Sequence, residues 1–156
     1  MALLLSLGIP IVIALKFIIP LLFLRFPFQA VWGNYILDIV DGDILQALGM
    51  SEALYQTVDK TADLFSYVFM LVLGMRWGIK RIVIVLFVYR LIGQLLFFAT
   101  GNEIFFVYFQ NFLEPLIMIY ALLIFIHKSE TKAYQTYKKY FFLIWAIVIG
   151  YKVWNE

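Results

Sequence analysis

The sequence predicts an all-α integral membrane protein, a single domain over residues 1–156 built as a bundle of about six transmembrane helices. Composition is the first reason. Of the residues, 65% are hydrophobic and only 14% charged, with a mean hydropathy of +0.95. A soluble domain runs nearer a quarter charged, so this chain lacks the polar groups to cover a water-facing surface. The second reason is punctuation: apolar stretches near the roughly 20 residues of a spanning helix are separated by short polar breaks. Aromatics make up 19%, which suits lipid contact and the interfacial belts where Tyr and Trp settle.

The first apolar segment, 2–24, contains Pro10, Lys16 and Pro20 and closes at Arg25 and Pro27. No basic stretch precedes it, and Lys16 interrupts the apolar run, so it reads as a retained helix rather than a cleaved signal. A second segment, 29–48, is more polar and carries Asp38, Asp41 and Asp43, which calls for a helix shielded by its neighbours. Gly49, Ser51 and Glu52 mark a loop, with Ser51 as the expected N-cap of a third helix over 54–75. The segment 74–81 is a basic turn; its Gly74 and Gly78 are better read as turn residues than as a helix-dimer seam. A fourth helix, 80–99, holds Arg90 and Gln94. A fifth, 104–126, contains Glu114 and Pro115. A wet, basic connector spans 127–139, and a sixth helix, 139–154, ends the chain.

Several function classes drop out. A net charge of +2 gives no reason to expect nucleic acid as a partner, and without cysteine there is no disulfide or thiolate site. A lone histidine, His127, rules out multi-histidine ligation. The partner is the lipid bilayer, with the connector's lysines at anionic headgroups. Basic residues of the short loops (Arg76, Lys80, Arg81, Lys128, Lys132, Lys138 and Lys139) orient those loops to the cytoplasm and the aspartates to the opposite face.

All of the aspartates lie between positions 38 and 63. Asp38 and Asp41 share one helix face by their spacing, and Asp59 and Asp63 share another. A short connection makes the two helices antiparallel neighbours, which brings the pairs together. An ionised Asp at the centre of a membrane helix costs roughly 2.5–3.5 kcal/mol, so four cost on the order of 10. Lys60 and Arg90 are the cations expected nearby, too few to offset four carboxylates. Divalent ions with oxygen ligands can offset them: one or two Mg2+, Mn2+ or Ca2+. For one pair alone a solvated acidic loop is the simpler account; two helix-spaced pairs favour metal.

"DIVDG" at 38–42 followed by "DKTAD" at 59–63 resembles the motif of the CDP-alcohol phosphatidyltransferase family, D-x2-D-G-x2-A-R-x8-G-x3-D-x3-D. Asp38, Asp41, Gly42, Asp59 and Asp63 match in register without a gap. The family's Ala-Arg is Leu45-Gln46 here, and its second glycine is Tyr55, in space the nucleotide uses. The resemblance implies a six-helix membrane fold with the motif on the second and third helices. It implies that Asp38, Asp41, Asp59 and Asp63 hold Mg2+ or Mn2+, two ions in the family, beside Gly42 at the nucleotide. Asp63 would also be the catalytic base, and Arg90 could bind the acceptor's phosphate. The activity implied is transfer of a phosphatidyl-type group from a CDP-linked lipid to an alcohol. The alternative is a catalytically inactive member of that fold, serving as a homodimer or as a subunit of a larger membrane complex.

Overall fold

The computed structural model describes residues 2–155. It is 86% helical, with no strand among the described residues. Two helices are long and apolar enough to cross a membrane, at Leu7–Leu24 and Lys80–Thr100; Leu113–His127 and Phe141–Trp154 are apolar but shorter. The all-helical expectation therefore holds, while two of the six expected segments reach the length and apolarity of a span. The chain divides into two compact units, Met1–Phe69 and Met70–Glu156.

In the first unit, α1 (Ala2–Leu21) continues through Pro10 and Pro20 and gives way to a 3-10 turn, Leu22–Leu24. Helix α2 (Pro27–Ala47) starts on Pro27, whose fixed φ suits a first helical position and whose missing N–H costs nothing there. It stops at Gly49, where φ is +92°. The Met50 N–H bonds the Leu45 carbonyl at 3.0 Å and the Gly49 N–H bonds Gln46 at 2.9 Å, a Schellman closure that needs a residue without a Cβ penalty. The chain then turns directly into α3 (Glu52–Gly74). Val12, Leu45 and Met50 form the buried core between α1 and the end of α2, with Ile9, Ile13, Leu37 and Tyr55 against it. At Gly8 the helices come so close that a Cβ would sit 2.8 Å from Leu48 Cδ1.

In the second unit, α4 (Lys80–Thr100) ends at Gly101, with φ +67°. The expected fifth helix is broken in two, α5 (Ile104–Tyr108) and α6 (Leu113–His127). Pro115 is the cause. It has no N–H to give and its ring crowds the carbonyl four residues back, which the first turn of a helix accommodates most easily, and here the chain breaks before it and α6 starts around it. Asn111 Oδ1 accepts the Glu114 N–H at 3.2 Å while its amide donates to the Glu114 carboxylate at 3.2 Å, so this pair ties down the first turn of α6.

The wet connector is itself a helix, α7 (Glu130–Lys139), followed by α8 (Phe141–Asn155). Ser129 caps α7, with Glu130 in its first turn and Lys138 and Lys139 in its last, matching the helix dipole at both ends. Ala133 and Tyr137 are its buried face. Burial pushes the Tyr137 hydroxyl above the ordinary phenol range, and Trp145 Nε1 donates to it at 3.0 Å. The Glu130 carboxylate accepts from the Gly78 N–H at 2.7 Å and from the Tyr120 hydroxyl at 2.8 Å, which makes 74–81 the turn expected of it.

Candidate metal centre

Asn34, Asp38, Asp41 and Leu45 recur at intervals of four, three and four, which places them on one face of α2. Tyr55, Asp59, Asp63 and Ser66, at intervals of four, four and three, share one face of α3. The stripes meet antiparallel: Ser66 Oγ donates to Asn34 Oδ1 at 3.4 Å at one end, and the Tyr55 hydroxyl to Asp41 Oδ1 at 3.3 Å at the other. Between these contacts, carboxylate oxygens of Asp38, Asp41 and Asp59 come within 4.8 Å of one another. The sequence expectation that helix spacing and a tight connection would assemble the acids is met for these three. Asp63, one turn further along α3, stands outside the triad and faces Lys60 Nζ at 3.8 Å. Asp43 is exposed.

The main correction concerns the cations. Lys16, an interruption in the apolar first segment by sequence, is buried and reaches from α1 into the centre of the triad. Its Nζ lies 3.3 Å from Asp38 Oδ1 and 2.5 Å from Asp59 Oδ1, and is in contact with Asp41 Oδ2. Lys60 Nζ bridges Asp59, at 2.7 Å, and Asp63. Two ammoniums thus face four carboxylates, leaving two negative charges when all are ionised. The signal was a lone lysine in the middle of an apolar helix, where an ionised group is kept only for a partner or a task. Arg90 belongs to the second unit. There Nη1 donates to the Phe109 carbonyl at 2.8 Å, and the guanidinium lies 4.5 Å from the Phe106 ring centre, so it anchors the α5–α6 break.

The positions that depart from the family motif have structural occupations. Leu45 is fully buried in the core with Val12 and Met50. Gln46 points outward and donates to Glu52 at 2.6 Å. The Tyr55 hydroxyl lies 2.9 Å from where a Cβ on Gly42 would be, so Gly42 gives up its side-chain space to Tyr55. The site is unevenly open. The Asp38 side chain is 38% exposed, against 0% for Asp41 and 7% for Asp59, so Asp38 is the most solvent-accessible member of the triad.

Hard carboxylate oxygens converging from two helices are a donor set suited to Mg2+ or Mn2+. Asp38, Asp41 and Asp59 could together hold a divalent ion as protein ligands, at the position that the Lys16 ammonium takes. Set against protein-family models, curated proteins and solved structures, the chain matches none.

Proposed function

We propose that this chain is an integral membrane protein carrying a divalent-metal-dependent transferase site of the CDP-alcohol phosphatidyltransferase type. The observation that carries this reading is the convergence of Asp38, Asp41 and Asp59 from a gap-free motif register. The membrane part is supported by outward faces that are apolar at helical spacing. On α1 these are Leu7, Ile11, Leu15 and Ile18; on α4, Val85, Val88, Ile92 and Leu95. Apolar faces of that extent on a monomer need lipid or protein against them. In this reading α2, α3, α6 and α8 complete a six-helix arrangement.

The bound ion would supply charge neutralisation at a diphosphate. Asp38, Asp41 and Asp59 would hold it, and Lys60 would keep Asp59 turned toward it. Asp63 would take the proton of the acceptor alcohol as the alcohol oxygen bonds to the lipid-side phosphorus. The bond from that phosphorus to the cytidine monophosphate oxygen breaks, and the nucleotide leaves with the electron pair. With Tyr55 against Gly42, the donor's leaving group is held differently from the family's, or is smaller than a nucleotide. The test is metal-dependent release of cytidine monophosphate, or of phosphate from simpler diphosphate lipids, by detergent-solubilised protein given an alcohol acceptor. Release that needs Mg2+ or Mn2+ and disappears in Asp59→Asn is the expected result. No release from any donor would return the site to the second reading.

That second reading is a non-catalytic membrane subunit of the same ancestry, as a homodimer or within a larger complex. It is favoured by Lys16 filling the triad and Tyr55 filling the space beside Gly42.

A further inference from the structure

The geometry points to Lys16 as a tethered counter-ion that holds the metal position and is displaced when a divalent ion binds. The inference rests on the metal-site reading above and adds to it a residue with no counterpart in the acidic motif. One ammonium touches all of Asp38, Asp41 and Asp59, and these are the oxygens a divalent ion would take. Mg2+ draws its oxygens to about 2.0–2.1 Å, so no ion can use this set while Nζ stands among them. A dication beside an ammonium is also repelled over any distance the triad allows.

The Lys16 stem is four carbons of rotatable chain, and the triad is most solvent-accessible at Asp38. Two consequences follow from the tether. Without metal the three carboxylates keep a cation, so the first unit can fold in its absence. With metal, binding must first detach Lys16, so affinity is weaker than three carboxylates alone would give. Lys16 thereby sets the metal concentration at which the site loads.

The test measures Mn2+ binding by the loss of its free paramagnetic signal, on full-length protein in detergent, for wild type, Lys16→Met, Lys16→Arg and Asp59→Asn. Lys16→Met is expected to bind at least about tenfold tighter than wild type, because the competing charge is gone. Lys16→Arg should stay near wild type, and Asp59→Asn should bind weakly or not at all. In wild type itself, Lys16 should be protected from amine-specific methylation without metal and become modified at saturating Mg2+, read by mass spectrometry. This second measurement does not depend on a variant folding. Wild-type binding that is no weaker than in Lys16→Met, or protection of Lys16 that Mg2+ leaves unchanged, overturns the tethered counter-ion while leaving the metal site standing. Absence of Mn2+ binding in wild type and in Lys16→Met overturns both.

Discussion

At the scale of single residues the site is a packing arrangement as much as an electrostatic one. Gly42 and Tyr55 fit because one has no Cβ: adding a methyl at 42 places it 2.9 Å from the Tyr55 hydroxyl and 3.2 Å from its Cζ. The ring cannot retreat easily, since it also lies against the Val12, Leu45 and Met50 core. Gly42→Ala is therefore expected to destabilise the protein by about 1–3 kcal/mol, the usual cost of overpacking, read as a lower melting temperature in detergent. Tyr55→Phe removes only the hydroxyl bond to Asp41 and should cost on the order of 1 kcal/mol. Lys16 behaves differently. Removing one partner of a buried charge cluster leaves the others uncompensated, and such losses run to about 3–5 kcal/mol. Lys16→Met without metal should be among the least stable single variants of the first unit, and added Mn2+ should raise its melting temperature more than that of wild type. The acids were legible in the sequence because their spacing, three and four apart, is a helix property visible in one dimension. Lys16 was not, because nothing in the spacing of α1 says which of its faces meets α2 and α3.

At the scale of elements, helix boundaries could be read wherever a backbone requirement left a residue behind. Gly49 closes α2 with its left-handed φ and Gly101 closes α4, while Pro27, expected to close the first segment, instead opens α2. What could not be read from hydropathy was α7. Its apolar side is only Ala133 and Tyr137, and its other residues resemble those of a solvated loop. The usable signal was chemical: a serine cap, an acid in the first turn and two lysines in the last. Ser129→Ala should cost about 1 kcal/mol as a lost N-cap. Glu130→Ala should cost more, about 1–3 kcal/mol, because it orphans both the Gly78 N–H and the Tyr120 hydroxyl at once. Melting curves of the two variants, compared with wild type, separate a fraying helix end from a lost tertiary clamp. Pro115 gives the opposite lesson. It was visible in the sequence inside a continuous apolar stretch, and its effect was to start a helix, so a window of hydropathy merged two elements that a backbone argument divides.

At the scale of the whole molecule, composition and geometry bear on the membrane in different ways. Composition speaks of the entire chain, whereas by length and apolarity two helices among the described residues qualify as spans. The shortfall has local causes: charge in α2 and α3, the break before α6, and the 15-residue length of α8. On α8, Phe142 is 87% and Trp154 92% exposed. Ile36 and Ile39 face outward from α2, the helix that carries Asp38 and Asp41 toward α3, so this segment too presents large apolar side chains on its outside. Water leaves such faces at a cost of roughly 25 cal/mol for each Å2 kept exposed, and lipid removes that cost without any partner protein. The expected outcome is that the full chain, expressed in cells, sediments with membranes. Alkaline carbonate and high salt, which strip peripheral proteins, should leave it there, and mild detergent alone should release it. Release by carbonate as a soluble species would assign the apolar faces to protein partners instead, and would leave the site on α2 and α3 working in water, where four aspartates need no metal to be tolerated.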